Sequence, residues 1–194
     1  MTGQVSLRVP DRSLLGAYEA ALRDGWSPNT VRNVAPEQLK EIAAGPDAFL
    51  SGLVGKGGRI RLRGGLEVEK LPDRVRWIFA ADRPGEPFVG AINIRWQEDD
   101  EGRPIEALPA HVLGHVGYSI VPCFAGNGYA TAALAGMLHE AREVGLPRLV
   151  ITCDAGNLAS RRIIEKNGGR LLESFVAPLY GPGERLRFVV ETVP

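Results

Sequence analysis

Between His115 and Thr131 the chain reads HVGYSIVPCFAGNGYAT, and the residue types in that order suit the holding of a phosphate. A short apolar strand runs into Pro122, a compact loop follows, and Gly128-Tyr129-Ala130 opens a long helical pattern. The first turn of a helix leaves several N–H groups unpaired, and the helix dipole adds partial positive charge at that end. Gly126 and Gly128 let the backbone come close to a ligand because no Cβ stands in the way. Two side chains just upstream can do acid–base work. His115, at the head of the strand, is a candidate general base, its plainer reading being a polar residue at a strand end. Ser119 is the second catalytic candidate; it alternates with Tyr118, so only one of the two faces a substrate.

Three ligand classes compete for the loop. A nucleoside triphosphatase needs a lysine directly after its glycines, and none follows here. A dinucleotide site needs G-x-G-x-x-G, of which Gly126-Asn127-Gly128-Tyr129-Ala130-Thr131 supplies two glycines, and Pro122 with three more residues separates the strand from the first. The third class is a cofactor whose pyrophosphate sits on the helix N-terminus while its arm lies along the preceding strand. Coenzyme A has that shape.

The elements that must position this loop are read from periodicity. Residues 4–10 alternate up to Pro10, which predicts a strand. Leu14, Leu15, Tyr18, Ala21 and Leu22 have helical spacing within 12–24, with Gly25 as the C-cap. A second helix is expected from Pro36 through Leu39, Ile42 and Ala43 towards Leu50, then a flexible glycine-rich loop at 52–59. Strands at 75–81 and 88–97 flank DRPGEP and predict an antiparallel hairpin. Residues 98–114 read as a long loop carrying at most one short helix. A strand at 115–121, a helix at 128–144, a strand at 148–153, a helix at 158–167 and strands at 170–177 and 185–192 complete the chain. The order β-α-α-β-β-β-α-β-α-β-β has three strands in succession, unlike a doubly wound nucleotide fold. It predicts an α+β (mixed α/β) fold, a mostly antiparallel sheet of six to seven strands flanked by helices. With no repeat and no linker, 1–194 reads as a single domain.

Composition narrows the function. The 23 basic and 23 acidic residues cancel, so no global field marks a nucleic-acid or membrane-surface binder. No apolar run approaches the roughly 20 residues a bilayer span needs, and the N-terminus has no signal-peptide pattern. Cys123 and Cys153 make neither a disulfide framework nor a metal cluster. A soluble, cytoplasmic protein without a metal is the expectation.

Residues 88–177 resemble the GCN5-related N-acetyltransferase (GNAT) superfamily. The superfamily's phosphate loop reads Gln/Arg-x-x-Gly-x-Gly/Ala, and the stretch Ala125–Ala130 matches it at Gly128 and Ala130. A second block, LVITCDAGNLASRRIIEKNGGRL at 149–171, is similar to its next strand and helix, with Asn157, Ser160, Glu165, Lys166 and Gly168 on the pattern. The resemblance implies acetyl-CoA as co-substrate and direct transfer of an acetyl group to a primary amine in a ternary complex. It implies that Ile120, Val121 and Cys123 pair with the pantetheine arm, and that a strand N–H polarises the thioester. Backbone N–H groups of Gly126, Asn127, Gly128, Tyr129, Ala130 and Thr131 would hold the pyrophosphate. Asn157 would bond the cofactor arm, with Ser160 beside it. The acceptor would be a small-molecule or peptide amine, with no nucleic-acid or membrane partner, and a homodimer is an open assembly.

Two positions depart from the family pattern. Ala125 stands where Gln or Arg is usual, and CFAGNGYAT holds no basic residue. Ile164 stands where many members carry a Tyr that protonates the leaving thiolate. They keep open a non-catalytic acyl-CoA-binding or regulatory member, and a dinucleotide-binding oxidoreductase is a third reading. Several residues carry plain alternatives: Asp154 and Asn157 as helix caps, Cys123 as a small loop residue, Arg161 and Arg162 as an exposed helix face. His111 is a weaker base candidate, the run Glu98–Glu101 reads as a solvated loop, and Trp77, Phe79 and Trp96 as sheet packing.

Overall fold

A computed structural model describes residues 3–54, 57–61 and 67–192. The elements are β1 (Val5–Arg8), α1 (Leu15–Arg23), α2 (Ala35–Ala44), α3 (Pro46–Val54), β2 (Arg59–Arg61), β3 (Glu67–Glu69), β4 (Asp73–Ala80) and β5 (Phe88–Arg95). They continue with β6 (Gln97–Glu98), β7 (Pro104–Ile105), β8 (Val116–Ile120), α4 (Tyr129–Glu143), β9 (Arg148–Asp154), α5 (Leu158–Lys166), β10 (Arg170–Val176) and β11 (Glu184–Glu191). The fold is α+β, with mainly antiparallel strands. The chain divides into two compact units. One comprises Met1–Lys56, Arg74–Asn93 and Gly117–Ala133, the other Gly57–Asp73, Ile94–Val116 and Leu134–Pro194.

The first unit is built on a sheet ordered β1-β4-β5-β8. β1 pairs antiparallel with β4, Val5 opposite Ala80 and Arg8 opposite Trp77. Leu15, Tyr18, Ala21 and Leu22 recur on one face of α1, and all four are buried. Gly25 ends that helix at φ +88°, a region that a residue with a Cβ adopts only at a cost. Tyr18 lies stacked on Trp77, ring centroids 4.5 Å apart, and Trp26 and Phe88 meet it edge-on at 5.4 and 5.7 Å. Such pairs add to area burial. Burial pushes the Tyr18 phenol pKa up, and its hydroxyl donates to Gln38 Oε1 at 2.7 Å. The helix expected to run from Pro36 towards Leu50 is two helices. Pro46 disfavours a helical conformation at Gly45, which is extended at φ −177°, and α3 starts afresh from there. Residues 55–56 of the expected glycine-rich loop lie outside the described residues.

The second unit holds a sheet ordered β10-β11-β9, antiparallel throughout, with Arg185 opposite Asp154 and Glu191 opposite Arg148. Leu149, Ile151 and Cys153 are buried on alternate positions of β9, the period-2 pattern of a strand with one face covered. β10 is an edge strand, exposed at nearly every position, and a bulge interrupts its pairing between Leu171 and Glu173. Residues 98–114 contain no helix; Gln97–Glu98 pairs instead with Pro104–Ile105. Asp99 organises that turn by accepting from the Arg103 backbone and side chain, both at 2.8 Å. The acidic run is thus largely satisfied by its own turn. The mostly antiparallel strands expected from the sequence form a four-stranded and a three-stranded ladder, with the small pairs β2–β3 and β6–β7. Among the described residues no helix is long and apolar enough to cross a membrane. No group of three or more His, Cys, Asp or Glu there is placed to hold a metal ion.

Candidate functional site

β8 is the last strand of its sheet, so one of its edges carries no further strand among the described residues. The Val121 N–H donates to Val89 O at 2.9 Å and is therefore spent on β5. By strand alternation the Ile120 N–H points the other way, to the open edge. Of the expected arm-binding residues, Ile120 thus presents a backbone donor, while Val121 serves the sheet. Gly90 is what lets β5 and β8 lie this close. A Cβ there would overlap the Ser119 carbonyl oxygen and meet Ile120 Cα at 3.0 Å.

Ser119 faces the interior of the same unit. Its hydroxyl donates to Ser27 O at 2.8 Å and accepts from Trp26 Nε1 at 2.9 Å. Both bonds tie the segment after α1 to β8. The position holds a strand and a loop together, and among the described residues its hydroxyl bonds only Trp26 and Ser27.

After β8 the chain makes a 3-10 turn at Pro122–Phe124, with Cys123 exposed on it. Phe124 N donates to Val121 O and Ala125 N to Pro122 O, at 2.9 and 3.1 Å. Gly126 and Gly128 then take φ +80° and +84°, and α4 begins at Tyr129, with Thr131 in its first turn. Among the described residues the five successive N–H groups of Gly126, Asn127, Gly128, Tyr129 and Ala130 have no hydrogen-bond partner. Consecutive free donors at a helix N-terminus form a cradle for an anion.

The loop also has a cation that its own sequence lacks. Arg83, on the turn between β4 and β5, donates from Nε to the Tyr129 hydroxyl at 2.8 Å and from Nη2 to Asn127 Oδ1 at 3.3 Å. Its guanidinium lies over the rings of Phe124 and Tyr129, 5.4 and 5.9 Å from their centroids. The Tyr129 hydroxyl in turn donates to Asp82 Oδ1 at 2.9 Å. Local sequence carries no sign of this, because Arg83 lies far from the loop along the chain and its turn was legible only as a turn.

In the second unit His115 is fully buried. Its N–H donates to Val150 O at 2.7 Å, the Val150 N–H returns a bond to Nδ1 at 2.9 Å, and its carbonyl accepts from Arg95 N at 2.9 Å. Gly114 makes room for this junction, since a Cβ there would meet Val150 O at 2.9 Å. The imidazole accepts at Nδ1 from the β9 backbone, and its buried Nε2 has no hydrogen-bond partner among the described residues. Burial pushes its pKa below the ordinary 6.5, and the Arg95 charge acts in the same direction. The unfolded chain therefore takes up this proton more readily than the folded one. The contribution is whole above about pH 6.5 and is lost as pH falls through that value. Thermal melts should show the midpoint dropping from pH 7 to pH 5, with a flatter profile in His115→Asn; an unchanged profile would show that the imidazole contributes nothing.

A sequence-family model for the acetyltransferase (GNAT) domain matches residues 60–170. The chain belongs to the GNAT acetyltransferase family. No curated protein matches it. Among solved structures, the acetyltransferase from Salmonella typhimurium that modifies the N-terminal serine of ribosomal protein L7/L12 is similar at TM-score 0.59 and 16% identity, over 98% of this chain and 96% of that one. A putative acetyltransferase from the same organism, with its cofactor acetyl-CoA, gives 0.55 and 15% over 97% and 94%. A spermidine N-acetyltransferase chimera from Vibrio cholerae and hSSAT gives 0.55 and 13% over 97% and 96%. At these TM-scores and identities the likeness is one of fold.

The second GNAT block has its own geometry. Asn157 caps α5, its Oδ1 accepting from Ser160 N at 3.0 Å. Asp154 does not cap that helix with its carboxylate, which pairs with Arg185 at 2.8 Å. Arg161 pairs with Glu165 one turn on, and the Cys153 thiol, buried, has its pKa pushed up. Ile164 is wholly buried, with Gly169 folded against it so closely that a Cβ would overlap its side chain. This position is part of the core. Replacing Asn157 by Ala should cost about 1 kcal/mol, a fall of roughly 2–4 °C in melting midpoint, which Asn157→Asp restores. A midpoint unmoved in the Ala variant would deny the cap its role.

Proposed function

We propose that this GNAT-family chain transfers an acetyl group from acetyl-CoA directly to a primary amine. The observation that carries the reading is the run of five unpartnered N–H groups, Gly126 to Ala130, following a strand with an open edge. The fit is chemical on both counts. Backbone donors at a helix start suit a pyrophosphate, and a free strand edge suits the amide-bearing pantetheine arm, which can pair with it as an added strand. Ile120 would donate to that arm, with Cys123 on the turn beside it.

Bound there, acetyl-CoA supplies an activated thioester. The amine nitrogen forms the new C–N bond as the C–S bond breaks; the nitrogen loses a proton and the thiolate gains one or leaves as the anion. A thiol pKa of roughly 8.5 makes that thiolate a tolerable leaving group. His115, buried and bonded to backbone, and Ser119, with donor and acceptor both engaged, position strands in this reading, and water carries the protons.

The structural neighbours include an enzyme that modifies the N-terminal serine of ribosomal protein L7/L12 and a spermidine N-acetyltransferase chimera, so peptide and polyamine amines are the acceptors to try first. The test is a thermal shift with acetyl-CoA, then thiol release with a panel of both classes. Stabilisation with release supports transfer. Stabilisation without release across the panel would favour the non-catalytic acyl-CoA-binding reading, which the engagement of His115 and Ser119 keeps in view. Stabilisation by NAD and not by CoA would overturn both.

A further inference from the structure

We propose that Arg83 is a positioning residue for the phosphate loop, holding its donors in one direction from a separate element; the inference rests on the acetyl-CoA reading above. A loop with two glycines at positive φ is easily rearranged, and five N–H groups bind one anion only if they converge. Guanidinium is a donor only, so its bond to Asn127 requires Oδ1 to face Arg83. The Asn127 amide NH2 is thereby turned onto Phe124 O at 3.0 Å and Ala125 O at 3.2 Å. Two carbonyls that would repel a phosphate are held by that amide. The second branch works the same way: the Tyr129 hydroxyl accepts from Arg83 and so must spend its hydrogen on Asp82, which anchors the first residue of α4.

Arg83 is itself held. Its turn is closed by Arg83 N to Ala80 O at 3.3 Å and Glu86 N to Arg83 O at 3.1 Å, and Glu86 is paired with Arg8. On the far side of the loop Gly3 N donates to Asn127 O at 3.0 Å. Asn127 is therefore fixed at both its side chain and its carbonyl. Two nitrogens of the guanidinium are committed to the loop, as a brace requires.

Lysine carries the same charge without the planar fork. Acetyl-CoA affinity by calorimetry should fall about tenfold to hundredfold in Arg83→Ala. It should fall nearly as far in Arg83→Lys, with unliganded melting midpoints close to wild type. The Arg83→Ala and Asn127→Ala losses should overlap in the double variant, because they break one bridge. S-acetylpantetheine, which lacks the phosphates, should bind the variants as it binds wild type; equal loss for both ligands would mean general damage and overturn the proposal. Full rescue by lysine would make Arg83 a plain charge, also overturning it. Wild-type affinity in Arg83→Ala would remove Arg83 while leaving the acetyl-CoA reading intact. Failure of the wild-type protein to bind acetyl-CoA would remove both.

Discussion

Gly128→Val should abolish measurable acetyl-CoA binding while leaving a folded protein. Gly128 sits at φ +84°, where a β-branched residue is least tolerated, so the peptide must rotate to relieve it. That rotation moves the N–H of Gly128 and its neighbours on both sides, and the branched side chain enters the space next to the bound pyrophosphate. Losing two or three charge-assisted bonds at about 1.5–3 kcal/mol each amounts to a hundredfold or more in affinity. The strain itself costs roughly 1–2 kcal/mol, so the unliganded midpoint should fall by only a few degrees. Calorimetric titration beside circular dichroism checks both halves. Affinity within threefold of wild type would place the ligand elsewhere.

Gly90→Ala should be the most destabilising single methyl group that can be added to the first unit's sheet. The new Cβ would overlap a backbone oxygen, that of Ser119, and a backbone oxygen cannot swing aside as a side chain can. Its φ of +155° adds strain. A loss of about 2–4 kcal/mol, or roughly 5–15 °C in melting midpoint, is expected. Relief is available only by pushing β8 away from β5, which would carry the Ile120 donor with it, so acetyl-CoA affinity should fall in the same variant. A midpoint within 2 °C of wild type would show that the strands have slack there.

The parts of the molecule that were legible in sequence are those fixed by short-range rules. The loop could be read because Gly126, Gly128 and the helix start act on one another within a few residues. α1 could be read from the 3.6-residue spacing of Leu15, Tyr18 and Leu22, and Gly25 from the need for positive φ. The break at Gly45-Pro46 was equally local; the apolar spacing from Leu39 to Leu50 concealed it by running on through the two helices. What could not be read depends on partners distant in the chain. Element order does not say which strands bond, so the orders β1-β4-β5-β8 and β10-β11-β9 could not be read from it. His115 and Ser119 have the chemistry of catalysts, and only their neighbours reveal how it is engaged: the Ser119 hydroxyl is held by Trp26 and Ser27, and His115 Nδ1 accepts from the Val150 N–H. Arg83 is the converse case, an ordinary turn residue given a role by two residues more than forty positions away.

The division of the chain has a consequence for how the protein emerges during synthesis. Every residue of the first unit, the anion cradle included, lies at or before Ala133, whereas the second unit draws on residues from Leu134 to Pro194. At about 5–20 residues per second, the roughly 60 residues from Leu134 to Pro194 take roughly 3–12 s to add. For that interval the ribosome carries a nascent chain holding the complete sequence of the phosphate loop and its brace, but neither the Asn157 block nor β11. The helix that opens from the cradle runs on to Glu143, so the loop's donors are set only after part of that interval has passed.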